Sequence, residues 1–313
     1  MQTQRPHNPA IPGTPRDRTG STTLLRKARA QISHRFDGLL RDVLAVFNRI
    51  PVYSLNAEAT QVRYGITPEV MDQTMLDIQA ALTRWIQDGR QPRYLFWWNP
   101  FVEQAAQLGT AQSAANLSQL SSVYATARSL DQVIRSEPYR VRVGLARIKS
   151  YEHWTGLAAD GQSRLASIIG RAVADGISPR EAAKMIQFAL NVSKSKAEQY
   201  AQTDITDTLR QARWAESEAT EAELGIKIGM LWSSALLPTT RRTHAARNGS
   251  VYSTDQVRVF YAKDGNRYNC HCGQTECLLD VNGTPILTDR LKASMADELK
   301  RWNETHQAPK KPP

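Results

Sequence analysis

The sequence predicts a mainly α fold, with a helical body followed by a small C-terminal α+β module carrying a short antiparallel sheet. Three observations predict it. Apolar residues recur at three- and four-residue steps in several stretches between Thr23 and Ala219, which is the period of a helix face. Past Gly225 the period drops to two, as in a strand. No stretch approaches the run of about 18–20 nearly uncharged apolar residues that a membrane span needs, so the core must form within protein.

The elements follow in order. Residues 1–21 hold Pro6, Pro9, Pro12 and Pro15 with few large apolar side chains, and read as a disordered basic arm. From Thr23 the apolar set Leu24, Leu25, Ala28, Ile32, Phe36, Leu39, Leu40, Val43, Phe47 and Ile50 forms a helical stripe, with arginines between its members and Pro51 as its stop. Thr67-Pro68-Glu69 opens a second helix with an N-cap, a proline at the first helical position and an acid in the first turn. Its stripe ends near Gly89, and Tyr94-Leu95-Phe96-Trp97-Trp98 follows as either a buried connector or an exposed anchor for a partner. Residues 101–130 carry only Glu103 and Arg128 as charges, so that helix must face the rest of the chain or another subunit. Further helices are expected over about 161–174, from Ser178-Pro179-Arg180-Glu181 to about Leu190, and from Ser195 through Ala219. Ile226, Ile228, Met230 and Trp232 then alternate as a strand. Val257, Val259 and Tyr261 form a second alternating piece before a turn at Lys263-Asp264-Gly265-Asn266, and another turn is expected at Val281-Asn282-Gly283-Thr284. A last helix runs from about Thr288 to Trp302. The expected partition is an arm over 1–21, an N-terminal helical region over 22–137, a helical bundle over 138–224, a Cys/His module over 225–303 and a basic disordered tail over 304–313.

Charge is unevenly placed in the 313 residues. The formal net charge is +10, resolved as +6 over 1–50, zero over 51–239 and +4 over 240–313. Basic ends around a neutral body suit a polyanion partner, because each Lys or Arg that neutralises a phosphate releases a counterion. A solvated tail that binds nothing is the plainer alternative. The candidate nucleic-acid contacts are Arg5, Arg16, Arg18, Arg26, Lys27 and Arg29 at one end and Arg241, Arg242 and Arg247 at the other. Residues 1–15 lack the apolar stretch of a secretory signal, so synthesis and use in a cytoplasm are expected.

All three cysteines lie between Cys270 and Cys277, too few for a disulfide framework. In an extended segment Cys270 and Cys272 point the same way. Gly273 permits a turn that would return Cys277, and His244 from the preceding helix completes a Cys₃His set suited to a structural Zn²⁺. Three small buried cysteines, or a disulfide formed only after exposure to oxidising surroundings, explain the same residues. A catalytic cysteine would need a positioned base and an orienting group, and no sharp trio offers them.

Several short motifs occur in a telling order: Ala201-x-Thr203-Asp204, then Trp232, then Thr240-Arg241-x-x-His244 with Asn248-Gly249, then Tyr268-Asn269-Cys270-His271-Cys272. Over about residues 160–280 the chain thereby resembles the Mu F-like phage head morphogenesis (minor head) family. It departs from the family pattern in Asp204 for a glutamate, in Leu236-Leu237-Pro238 where an acid is expected, and in His271 for an arginine. The resemblance implies a non-enzymatic minor capsid protein of a Mu-like tailed phage, present in the virion and, during assembly, in the host cytoplasm. Its implied partners are the portal or major capsid protein and packaged double-stranded DNA, with no membrane. The alternative from another class is a metal-assisted nuclease or toxin-like transferase using His244 and the cysteine cluster.

Overall fold

The computed structural model describes residues 8–54, 62–88 and 95–306. Arg5, Tyr94, the glycine expected to end the second helix, and the tail from residue 307 lie outside the described residues. The elements run α1 (Thr22–Phe47), β1 (Val52–Ser54), β2 (Val62–Tyr64), α2 (Pro68–Trp85), α3 (Asn99–Leu120), α4 (Ser122–Ala127), α5 (Leu130–Arg135), α6 (Glu137–Asp175), α7 (Pro179–Leu224), β3 (Ile228–Ser233), α8 (Arg242–Ala245), β4 (Val251–Tyr252), α9 (Thr254–Ala262), β5 (Gly273–Leu278) and α10 (Asp289–Thr305). The fold is mainly α with a small antiparallel C-terminal sheet, as expected.

The chain divides into two compact units, each assembled from discontinuous segments, which cuts across the linear partition expected from the sequence. One takes its described residues from 26–54, 62–88, 95–100 and 147–201, the other from 8–25, 101–146 and 202–306. The reason lies in two very long helices. The expected helices over 178–190 and 195–219 are one helix, α7, because nothing between Leu190 and Ser195 breaks the backbone pattern; the 161–174 helix is the second half of α6.

In the first of these units α1 buries Ile32, Phe36, Leu39, Val43 and Phe47, the stripe read from the sequence. Gly38 allows α2 to come close: a Cβ there would sit 2.4 Å from the Trp85 ring. Thr67 caps α2, accepting from the Val70 N–H. The aromatic run is a buried connector. Trp97 packs edge-on to Trp154 of α6 and Trp98 packs tilted against it, with ring centroids 4.7 and 5.1 Å away. Arg35 lies 4.3 Å over the Trp97 ring and pairs with Asp88.

In the other unit the charge-poor α3 packs inside the chain. Val102, Ala105, Thr110, Ser113, Asn116 and Leu117 are buried, and Gly109 lies so close to α7 that a Cβ would fall 2.2 Å from the Leu209 carbonyl oxygen. The charge-poor stretch is not one helix: it is broken twice by serine caps, Ser121 accepting from the Tyr124 N–H and Ser129 forming a capping box with Gln132. The sheet has the order β4-β3-β5, all antiparallel, with Gly229 opposite Cys277 and Leu231 opposite Thr275. β3 is buried on both faces. Met230 and Trp232 face Trp214, Val257, Tyr261, Cys270 and Cys272; Leu231 faces Cys277, Leu287 and Met295.

Two further expectations are corrected here. Residues 8–21 are not a free arm: buried Asp17 accepts from Thr19 and Thr22, and Arg18 forms a two-pronged pair with Glu298 at 3.0 and 2.9 Å. The segment around Val257 is helix α9 rather than a strand. Ser253 and Gln256 form a capping box, and Val257 and Tyr261, four residues apart, are the buried pair while Val259 is exposed.

Candidate metal centre

Three elements bring His244, Cys270 and Cys272 together. α8 supplies His244, buried at its third residue. Asn269, in the left-handed region at φ 50°, turns the chain just before Cys270, and its N–H donates to Thr203 Oγ1 on α7. Cys270 and Cys272 precede β5, and their carbonyl oxygens are gripped by one side chain: Arg210 Nη2 donates to both at 2.8 Å, and Nε donates to Cys272 O at 3.1 Å. With two carbonyls pinned to one guanidinium, both thiols turn to the same side.

His244 Nδ1 lies 3.4 Å from Cys270 Sγ and 3.8 Å from Cys272 Sγ, and the three donor atoms are all within 4.8 Å of one another. The residues are 2, 4 and 2 % exposed. Which ring nitrogen carries the proton follows from Asn266. Its Nδ2 donates to the Phe260 carbonyl at 3.0 Å, so its Oδ1 is the atom 3.2 Å from His244 Nε2. Nε2 therefore carries a hydrogen, and Nδ1 is the ring nitrogen that faces the sulfurs. Arg241 Nη1, 3.4 Å from Nε2, has its acceptor in Asn266 O at 3.1 Å.

The electrostatics of this cluster are lopsided. Burial pushes the Cys270 thiol up, but the Cys272 hydrogen bond, the Arg210 charge and His244 outweigh it and hold Cys270 well below the usual thiol range. Cys272 is driven the other way, first by its hydrogen bond to Cys270 and then by burial. The two thiols are thus driven apart, Cys270 down and Cys272 up. Arg210 is the buried counter-ion of Cys270 and lies 4.8 Å over the Tyr261 ring. Tyr261 accepts from Gln274 at 3.0 Å and turns its hydroxyl to Cys270 Sγ at 3.5 Å; burial pushes its phenol up, so it stays protonated.

Cys277 does not join. β5 is extended from Gly273 onward instead of turning back, and pairing of Cys277 with Gly229 puts it on the opposite face of the sheet among Leu231, Leu287 and Met295. Gly273 serves another need, since a Cβ there would fall 2.0 Å from the Arg18 carbonyl oxygen. Among the described residues no fourth Cys, His, Asp or Glu completes the set.

The candidate nucleic-acid contacts are not gathered into one place. Arg18 is paired with Glu298; Arg241 donates to Asn266 O and Tyr268 O; Arg242 donates to His306 O; and Arg247 stacks 4.0 Å over Phe260. Arg16, Arg26, Lys27 and Arg29 are exposed, and no ion pair among the described residues involves them. Sequence reasoning missed Arg210, Tyr261, Asn266 and Gln274. An arginine in a helix reads as solvent-facing, and nothing in its spacing marks a guanidinium that is buried to hold a loop.

A long helix that reaches into a small sheet module and grips a buried Cys/Cys/His cluster defines a mainly α protein with a Cys/His-centred C-terminal module. Residues 164–275 match the family of Phage Mu protein F like protein, and over this segment the chain is similar to that family. No curated protein and no solved structure matches the chain. The matched span contains all of α7, β3, α8 and α9 and every member of the triad.

Proposed function

We propose that the chain is a minor head protein of a Mu-like tailed phage, acting in head morphogenesis at the portal or inner capsid surface, with the exposed basic face of α1 meeting packaged double-stranded DNA. The Mu F-like match over the segment that builds the triad carries this reading. A nonsense mutation in the gene should leave few or no filled heads, and the purified wild-type virion should contain the chain at low copy. Normal heads and titre without it would overturn the proposal. The DNA part has its own measure. Changing Arg26, Lys27 and Arg29 together to Gln should lower the slope of log affinity against log salt by about 2–3, at roughly 0.9 per lost phosphate contact; an unchanged slope removes α1 from the interface.

The triad favours a second element of the same reading, a structural Zn²⁺ bound by His244 Nδ1, Cys270 Sγ and Cys272 Sγ. Around a tetrahedral zinc such donors lie about 3.6–3.8 Å apart, from Zn–S near 2.3 Å and Zn–N near 2.0–2.1 Å. The separations of 3.4 and 3.8 Å are close to that, and the Asn266 oxygen holds the imidazole in the ligating tautomer. Burial of all three donors suits a staple better than the nuclease or transferase alternative, whose substrate must reach the site. Zinc per chain should approach one in the wild type, fall away in Cys270→Ser and His244→Ala, and persist in Cys277→Ser. A metal-free wild type, or equal loss in Cys277→Ser, rejects the ligand set.

A further inference from the structure

A groove of 780 Å³ runs along the outside of the helical hairpin formed by the second half of α6 and the first half of α7. Its floor is apolar, from Ile168 on α6 and Met185, Phe188, Ala189 and Val192 on α7. Phe188 is 72 % exposed and Val192, one turn on, 39 %. Leaving a phenylalanine side chain in water forgoes the gain of burying it, so this exposure adds nothing to the stability of the isolated chain. A lone exposed apolar residue needs no explanation; a groove whose apolar floor repeats at helical spacing does.

The rim supplies the chemistry of the partner. Arg164, Arg171 and Lys184 line it against Glu181 alone. Arg164 pairs with Asp160 and Lys184 with Glu181, while no ion pair among the described residues involves Arg171. The surplus is positive. We infer that this groove docks an amphipathic helix of another protein, its apolar face on Phe188 and Val192 and its flanks acidic. Helix-in-groove docking uses anchors at positions i, i+3, i+4 and i+7, which a floor built by two adjacent helices accepts. A second copy of this chain is a poor occupant. Its own exposed apolar stripe, Val141, Leu145 and Ile148 on α6, is flanked by Arg140, Arg142 and Lys149 and would set positive charge against the positive rim. The inference does not depend on the phage assignment.

The probe is a display library of 18-residue helices with a fixed Leu/Ile face and randomised flanking positions, selected on the full-length chain. The result expected is enrichment of Asp and Glu in the flanks, and binding at least tenfold weaker to Phe188→Ala and to Arg171→Glu. Both changes fall on exposed side chains, and unaltered urea unfolding would establish that the variants fold. Any of these results would overturn the inference: flanks enriched in Lys and Arg or in nothing, binding indifferent to Phe188→Ala, or sedimentation showing a wild-type dimer that Phe188→Ala dissociates. Binding that follows Arg26, Lys27 and Arg29 instead of Phe188 also rejects it.

Discussion

Glu276 lies at the junction of α3, α7 and β5, and its removal should do more damage than its single charge suggests. The carboxylate is fully buried, 0 % exposed, and its partner Arg213 is 3 % exposed. Arg213 Nε donates to Oε1 at 3.1 Å and Nη2 to Oε2 at 2.5 Å, while Asn116 Nδ2 donates to Oε2 at 3.0 Å and to the Glu276 carbonyl at 2.8 Å. Glu276→Ala leaves a guanidinium in the core with one remaining side-chain acceptor, Gln112 Oε1 at 3.2 Å. Breaking a buried pair from one side costs about 3–5 kcal/mol, mostly through the stranded charge. Replacing both partners by apolar residues removes that charge, so Arg213→Met with Glu276→Leu should recover all but about 1–2 kcal/mol.

The chain has two units, so one unfolding curve would blend their transitions. Native-state hydrogen exchange of peptides covering β3 and β5 isolates the opening free energy of the sheet. The expected order is wild type, double mutant close below, Glu276→Ala well below. A double mutant as unstable as Glu276→Ala would show that the loss is packing, and the argument from uncompensated charge would fail. A loss under about 1 kcal/mol in Glu276→Ala would refute the pair's burial itself.

Three other expectations rest on the same packing. Burial, and after it the Glu276 charge, push the Cys277 thiol up to about 12, whereas the unfolded chain gives up that proton near 9.0. The folded state therefore holds the extra proton above pH 9: the thiol's contribution is intact below that pH and is lost as pH rises toward 12, at about 1.4 kcal/mol per pH unit. Unfolding of wild type and Cys277→Ala compared between about pH 8 and 10.5 should give a shallower alkaline decline in the mutant, and parallel curves would refute the shift. Gly109→Ala forces a Cβ to 2.2 Å from a backbone oxygen, so α3 and α7 must part; a loss of about 1–3 kcal/mol in sheet-unit stability is expected, and a neutral effect would mean the helices are not in that contact. A fragment starting at 225 lacks Trp214 and Arg210, and its 273–278 amides should exchange as fast as in an unfolded chain; native-like protection would contradict the packing.

Much of the fold could be read in the sequence where one physical cause acts alone. The α1 stripe, the Thr67 cap, the start of the last helix near Thr288 and the turn around Gly283 (φ 80°) are local, and the structure contains them. What failed needed either a capping signal read ahead of the alternation or non-local facts. Val257, Val259 and Tyr261 satisfy a period of two and, through Val257 and Tyr261, a period of four; only the capping box and the α7 tryptophan waiting at the core decide for helix. Cys270, Cys272 and His244 were legible as donors, because sulfur and imidazole spacing is itself chemical. Cys277 was misplaced because residue type says nothing about the face of a sheet. That face was set by pairing with Gly229, some fifty residues earlier.

The apparent boundary at Gly225 shows how a change of period differs from a boundary of packing. Gly225 does end α7, at φ 66°. Yet the core on one side of the sheet is closed by Trp214, the cysteine loop is held by Arg210, and the β5 carboxylate is neutralised by Arg213, all on the helix before it. The helix and the module are thus one cooperative structure with its polar interactions buried. Such interactions are expensive when half made and stabilising only when complete. That favours a module whose shape is the same whenever the C-terminal part of α7 is formed. Exposed Phe188 lies toward the N-terminal end of α7, and Arg210 and Arg213 lie within its C-terminal third.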